Sequence, residues 1–371
     1  MIRVAIVAGK VDSGGKKNLI MEYYRHVDRE KLQFDFICDS DSQSIPKEEI
    51  ESLGGRVYII SPYQQILKNM ADMKKIFKEN KYPIVHAYNS TMNIFPMMVA
   101  KQCGVPVRIS ESLSMAHAKD WKTILKKMLR PMSKWFANYY MSCGVDCGKW
   151  QFGESFFEKK KVDVFKTVIN TQFNAYNPRV REETRKKYGW ENNIVIGHIG
   201  RFTAQKNSIH MIEIFGAVAK KEPRAMLCLV GDGELKESMM KKIKELGIEK
   251  QVDYLGRRED IQQFYNAMDC FILPSLYEGL PVVGLEAECC GLPMFFSTEV
   301  TREANACELG HFIALDESVE IWADKILAAC RANMPIRRSY AKEVSKAGFD
   351  SESEAMRMQK YYFDAIERES K

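Results

Sequence analysis

Short apolar runs alternate along the chain with longer segments whose apolar residues recur at helical spacing, the rhythm of strand and helix units wound around parallel sheets. In the first half the pattern predicts strands at 4–8, 34–38, 56–60, 84–87, 107–110 and 139–142, with a seventh near 165–169, and helices such as 66–79 and 92–102 in the gaps. Residues 170–178 are polar and turn-rich, and the rhythm then restarts with strands at 194–199, 226–230, 252–255, 270–273, 294–296 and 312–315. That interruption predicts a domain boundary. Two consecutive doubly wound α/β domains follow, with ligands expected in the cleft at the carboxyl ends of the strands. A last helix, 351–366, carries Met356, Tyr362, Phe363 and Ile366 at helical spacing.

The length of 371 residues allows about two domains of ordinary size. Apolar residues at 46% and charged residues at 28% are globular usage and exclude a fibrous, disordered or multi-span membrane chain. The ten cysteines lack the Cys-x-x-Cys spacing of a zinc site, and the six histidines form no His-Glu-x-x-His helix, so no metal is expected. Ten thiols without a disulfide framework fit a reducing, cytosolic compartment. The opening run Ile2 to Gly9 is too short for a signal-peptide core, and no apolar stretch nears the roughly 20 residues that span a bilayer. Charge is divided unevenly: residues 1–172 hold 27 Lys and Arg against 18 Asp and Glu, a balance of +9, whereas the rest hold 28 against 31, a balance of −3. The two halves therefore meet different partners.

Candidate chemistry lies on the loops that leave strands. Gly9-Lys10-Val11-Asp12-Ser13-Gly14-Gly15 is a glycine-containing turn into a helix, open to an anion, but it is neither a Walker A loop nor Gly-x-Gly-x-x-Gly. Val230-Gly231-Asp232-Gly233-Glu234-Leu235-Lys236 resembles a dinucleotide fingerprint with Lys236 in place of its third glycine, which argues against a nicotinamide cofactor. The loop Gly200-Arg201-Phe202-Thr203-Ala204-Gln205-Lys206-Asn207 carries a guanidinium and an ammonium that can clamp a diphosphate, or stand as two solvated surface cations. In Pro274-Ser275-Leu276-Tyr277-Glu278-Gly279-Leu280-Pro281-Val282-Val283-Gly284-Leu285-Glu286 two carboxylates flank a turn that opens a helix. The N–H groups of Leu280, Val282 and Val283 can meet an oxyanion while Glu278 and Glu286 bind vicinal hydroxyls, a constellation suited to a nucleoside diphosphate sugar.

These segments, with Val85-His86-Ala87-Tyr88-Asn89, Phe152-Gly153, Val168-Ile169-Asn170 and Tyr254-Leu255-Gly256, resemble glycosyltransferase family 4 over nearly the whole chain. The likeness is greatest to its bacterial capsular and exopolysaccharide branch. The resemblance implies the GT-B fold: two facing Rossmann-like domains, an inter-domain cleft and a C-terminal helix crossing back to the first domain. The domains would be 1–169 with 351–371, for the acceptor, and 170–350, for the nucleotide sugar. It implies a retaining, metal-independent transfer of a hexose-type sugar from a nucleoside diphosphate donor such as a UDP-sugar. The acceptor would be a saccharide or a lipid-linked acceptor, in surface polysaccharide biosynthesis, and no cofactor would be needed. Carried over by the match, Arg201 and Lys206 would neutralise the diphosphate and Gly14 and Gly15 would approach it from the first domain. Glu286 would bind the ribose, Glu278 a sugar hydroxyl, Gly279, Leu280, Pro281 and Val282 the sugar and phosphate. Gly231 would line the donor site, with Arg257 near the base.

Two motifs depart from the branch. Where it usually reads His-Ser-His-Asn the chain has Glu111-Ser112-Leu113-Ser114, so the sugar-contacting histidine is replaced, with His117 nearby and Glu111 offered to another hydroxyl. The usual Asn-Gly-Ile-Asp becomes Asn170-Thr171-Gln172-Phe173. His86 is expected near the acceptor, or as a hydrogen-bonded core histidine. A non-catalytic sugar-nucleotide-binding partner subunit is the alternative reading, and nucleic acid is excluded for want of an aromatic platform within a basic patch. Residues 119–136 form a basic amphipathic stretch in which Trp121, Met128 and Trp135 alternate with lysines, a pattern for an anionic membrane surface or a core helix with a solvated rim. A cytosolic protein peripheral to the inner face of the plasma membrane is expected.

Overall fold

The computed structural model describes residues 1–12, 15–113, 127–334 and 336–371 and divides into two compact units, 1–168 with 351–371, and 169–350. The first holds a parallel sheet of β1 (Ile2–Gly9), β2 (Leu32–Asp39), β3 (Arg56–Ile60), β4 (Ile84–Ala87), β5 (Val107–Ser112), β6 (Tyr139–Ser142) and β7 (Asp163–Val164), in the order β3-β2-β1-β4-β5-β6-β7. The second holds β8 (Ile194–Ile199), β9 (Ala225–Val230), β10 (Val252–Tyr254), β11 (Cys270–Leu273), β12 (Met294–Ser297) and β13 (Gly310–Ile313), in the order β10-β9-β8-β11-β12-β13. Strands β4, β6, β8 and β11 fall where the apolar runs place them. They are central or nearly so, and the last two are buried along their whole length, which is what an unbroken apolar run signals.

Two strands differ from expectation. The seventh is the pair Asp163–Val164 beside β6, not 165–169: Phe165 and Val168 turn into the core, and Ile169 instead bridges to Asp350 in the second unit. The last is Gly310–Ile313, not 312–315, because pairing with β12 starts at Gly310 opposite Met294. A glycine at a strand start gives no propensity signal.

Each sheet is covered on both faces. In the first unit Val4, Ile6, Phe34, Phe36 and Ile109 belong to one core, and Ala5, Val7, Ile37 and Val85 to the other, the alternation expected of strands. The C-terminal helix (Ser351–Glu369) completes the first of these cores with Ala355, Met358, Tyr362 and Ala365. Polar contacts fix its register: Ser351 Oγ donates to Glu22 at 2.9 Å, and Gln359 Oε1 accepts the Asp28 N–H at 2.8 Å. In the second unit Ile194, Ile196, Leu227 and Ile272 face one layer, and Val195, Cys228, Phe271 and Leu273 the other.

Because the C-terminal helix covers the first sheet, Tyr362→Ala should destabilise the first unit by about 3 to 5 kcal/mol, the usual cost of emptying a large buried aromatic site. Hydrogen exchange should then open amides of β1 and β2 while those of β8 and β11 stay protected. The opposite order of opening would contradict this role for the helix.

Candidate functional site

In a doubly wound sheet the loops on either side of the point where strand order reverses leave in opposite directions, and a crevice opens at the carboxyl ends of those strands. In the second unit that point lies between β8 and β11. The loop after β8 carries Arg201 and Lys206, and the loop after β11 carries Glu278. The structure brings two of these together: Lys206 Nζ donates to Glu278 Oε1 at 2.6 Å, and Ser275 Oγ donates to the same oxygen at 2.7 Å. Among the described residues both hydrogen bonds of this carboxylate fall on Oε1, which leaves Oε2 to accept from a ligand. The loops are also joined by main chain, Leu276 N–H to Gln205 O at 2.8 Å, and by Gln205 Nε2 to Tyr277 O at 3.1 Å. Arg201 lies exposed on the same loop and makes no ion pair among the described residues. Lys206 is thus not a freely solvated cation, whereas Arg201 is.

Glycines allow these loops to approach. Gly231 has φ +138°, and a Cβ on it would sit 1.9 Å from Gly200 O. A Cβ on Gly233 would sit 2.3 Å from Phe202 O. The Gly231-x-Gly233 spacing therefore serves backbone packing of the loop after β9 onto the loop after β8, sealed by Phe202 N–H to Asp232 O at 3.1 Å and Leu235 N–H to Phe202 O at 3.1 Å. Gly231 N–H in turn donates to Gly256 O at 2.8 Å. Arg257, next along, is exposed, with Nε 3.9 Å from Asp232 Oδ2.

The helix Val282–Cys289 begins at Pro281, whose side chain cannot cap it, and has no acidic residue in its first turn. Its first N–H groups are thus offered to the loop, as an anion site requires. Gly279 is exposed with open space around it, while Leu280 packs against two apolar clusters and anchors the turn. Glu286 accepts from the buried Tyr265 hydroxyl at 2.7 Å, and burial together with this carboxylate holds the phenol well above its ordinary pKa. Two positions further on, the buried Glu288 accepts the N–H groups of Ala306 at 3.1 Å and Cys307 at 2.6 Å, and desolvation raises it to about 7.

In the first unit the order reverses between β1 and β4, beside the glycine turn. Gly14 and His117 lie outside the described residues. Gly15 opens the helix Gly15–His26, exposed and with nothing near its absent Cβ. Lys16, absent from the sequence-derived site, reaches back to Ala8 O and to Asn89 Oδ1 at 3.2 Å, and burial lowers its pKa. The expectation that His86 and Glu111 touch acceptor or sugar is corrected. Both are buried, at 0% and 1% exposure: His86 stacks on Tyr88 at 4.2 Å, places Nδ1 2.7 Å from the Tyr362 hydroxyl and Nε2 2.9 Å from Glu111 Oε2. They form a core network with the C-terminal helix, the hydrogen-bonded core arrangement that is the other expectation for His86. Of the basic stretch, 119–126 lies outside the described residues; beyond it Met128 and Trp135 are 68% and 60% exposed while Leu129 is buried.

Sequence reasoning missed His198, the penultimate residue of β8. It is fully buried and Nδ1 stands 3.0 Å from Ile272 O. The signal was one polar residue inside the apolar run Ile194-Val195-Ile196-Gly197-His198-Ile199. Among the described residues no cluster of three or more His, Cys, Asp or Glu could hold a metal ion, and no helix is long and apolar enough to cross a membrane.

Comparison with known proteins gives the same reading of the fold. Residues 180–346 match the family described as glycosyl transferases, group 1. EpsF of Bacillus subtilis, which carries a glycosyltransferase name, is 30% identical over 358 residues, 94% of this chain and 93% of its own. An Escherichia coli UDP-Gal:alpha-D-GlcNAc-diphosphoundecaprenol alpha-1,3-galactosyltransferase is 25% identical over 300 residues, 76% of each chain. Among solved structures, Anabaena HepE in complex with UDP-glucose superposes with TM-score 0.74 at 17% identity over 98% of this chain and 100% of its own, a likeness of fold.

Burial lowers the His198 pKa from 6.5 to about 4, the Lys206 charge adding to the effect. The unfolded chain takes up a proton below about pH 6.5 that the folded ring refuses. The stability this neutral ring supplies is therefore present above pH 6.5 and lost as pH falls towards 4, a swing of about 3 kcal/mol. Unfolding free energies measured from pH 7 to 4 should fall more steeply for the wild type than for His198→Phe by that order. Identical acid slopes would contradict the burial argument.

Proposed function

The chain belongs to the group 1 glycosyl transferases, and on that premise we propose that it is a retaining hexosyltransferase using a UDP-sugar. In this reading it transfers the sugar, without a metal, to a saccharide or lipid-linked acceptor in bacterial surface polysaccharide biosynthesis. The observation that carries the reading is the Lys206–Glu278 pair at the reversal point of the second sheet, with Arg201 exposed on the same loop and the uncapped helix start at Val282 beside it. UDP and UDP-glucose in the HepE complexes support a uridine nucleotide sugar as the donor class.

The chemistry follows from charge. A nucleoside diphosphate leaving group gains negative charge as the glycosidic bond breaks, and fixed cations aimed at it lower the barrier without reorganising. Arg201 supplies a planar fork and Lys206 a point charge. In the free protein Glu278 cancels the Lys206 charge; a bound diphosphate takes over the ammonium, and Glu278, still held by Ser275, accepts a sugar hydroxyl. Glu286, aligned by Tyr265, accepts from the ribose, the Val282 helix start meets the phosphate, and Arg257 lies towards the base. Retention places the acceptor on the face from which the diphosphate departs.

A second reading, a sugar-nucleotide-binding subunit without turnover, draws on the resemblance, which puts Glu111 in the place of a sugar-contacting histidine, and on the burial of Glu111 against His86. Incubating the purified protein with several UDP- and GDP-sugars separates the two. Donor hydrolysis or transfer is expected with UDP-sugars and should persist in EDTA, whereas binding without turnover would favour the subunit. Lys206→Ala or Arg201→Ala should each cost about 1.5 to 3 kcal/mol of donor binding, the worth of a charge-assisted contact. Full activity in the double variant, or its loss in EDTA, would sink the metal-free clamp.

The excess of basic residues in the first half, with exposed Met128 and Trp135 among Lys127, Arg130 and Lys134, supports a reading in which the acceptor is met at an anionic membrane surface. Each such cation gains about 1 kcal/mol near anionic lipid, screened by salt. Binding to vesicles containing anionic lipid should weaken with salt and in Lys127→Glu/Arg130→Glu. Equal, poor binding to anionic and neutral vesicles would contradict a membrane-borne acceptor.

A further inference from the structure

His198 has a second ring nitrogen that the arrangement so far leaves unused. Nδ1 faces Ile272 O, an oxygen that can only accept, so Nδ1 carries the ring proton and Nε2 the lone pair. Nε2 is fully buried and finds no partner among the described residues. Buried acceptors are seldom left so, and those that are call for a cause. The direction of Nε2 supplies one. It looks towards Gly200, where a Cβ would lie 3.3 Å from it and 3.9 Å from Lys206 Cε. The missing side chain leaves a niche with the imidazole lone pair on one side and the stem of Lys206 on the other. Phe202 and Phe271 flank the ring, with centroids 6.2 and 6.3 Å away. The ammonium of Lys206 has three N–H groups, and the bond to Glu278 occupies one.

We propose that His198 is a positioning residue for Lys206, its Nε2 lone pair taking an N–H of the ammonium once a diphosphate draws that group away from Glu278. The inference rests on the reading that Lys206 binds the donor diphosphate. Its logic is a difference between two acceptors. Glu278 holds the ammonium by cancelling its charge, which suits the empty site. A neutral imidazole holds the same group and leaves its charge intact, which suits a cation that must attract phosphate. The niche over Gly200 gives the lysine room to change partners, and the Ile272 carbonyl fixes the tautomer that offers the lone pair.

The test is a double-mutant cycle in the full chain, with UDP and uridine as probes and calorimetry as the readout. Lys206→Ala should weaken UDP binding about 10- to 100-fold, as loss of a charged contact does. His198→Phe, which keeps the ring and removes the lone pair, should weaken UDP about 3- to 10-fold, and in the Lys206→Ala background it should add nothing, since coupled residues are not additive. Uridine should bind wild type and His198→Phe alike, and His198→Gln, which restores an acceptor, should recover most of the UDP affinity. UDP binding unchanged in His198→Phe, an equal loss with Lys206 already absent, or a parallel loss of uridine affinity would each overturn the proposal. Unchanged UDP binding in Lys206→Ala would instead overturn the underlying reading of Lys206.

Discussion

A parallel sheet delivers every strand end to one edge, so the chemistry available there is decided by which loops diverge and which are pulled together. In the second unit β8 and β11 are neighbours whose following segments depart in opposite directions, and the ion pair of Lys206 with Glu278 spans the gap they leave. The other features of the site depend on this contact. Ser275 fixes the carboxylate, Gln205 and Leu276 fix the two loops against each other, and the glycines at 231 and 233 let a third loop pack beneath them without side chains in the way. Both partners are largely shielded, with side chains 17% and 9% exposed, so removing one leaves the other charge costly to strand. A ligand that replaces it must satisfy both ends at once, with an anion for the lysine and hydroxyls for the glutamate. A sugar diphosphate has both.

The sequence shows much of this because parallel strands buried on both faces are written as unbroken apolar runs. Ile194–Ile199 and Cys270–Leu273 are legible for that reason, and so is the cationic loop that follows the first and the acidic loop that follows the second. Where burial is partial the signal fades: Asp163–Val164 is two residues long and sits among lysines, and Gly310 opens β13 with the residue least suited to strands. The C-terminal helix announces its apolar stripe, but only the fold shows that Tyr362 brings a hydroxyl to His86 across 276 residues of sequence.

That long-range contact shows how His86 and Glu111, which read as site residues, come to lie in the core. A histidine near the end of a strand and a glutamate near the end of its neighbour are what a ligand site would show, and they are equally what a buried pair shows when the glutamate stands two residues past the histidine's register partner, Ile109. Burial, which separates the two, is a property of the whole unit. His198 presents the reverse case, a residue that looks like core and is core, yet turns its one unused atom towards the loop that bears Lys206. In both instances the side chain's surroundings carried the information, and its type did not.

In the proposed function the loops after β8 and β11 form a seat for a diphosphate built from protein cations. The most direct measurement is calorimetric titration of the EDTA-treated protein with uridine, UMP and UDP in turn. Affinity should rise with each phosphate, and UDP should bind at least about tenfold more tightly than uridine, one charge-assisted contact being worth that much. UDP binding no tighter than uridine, or tighter only when a divalent cation is restored, would contradict it.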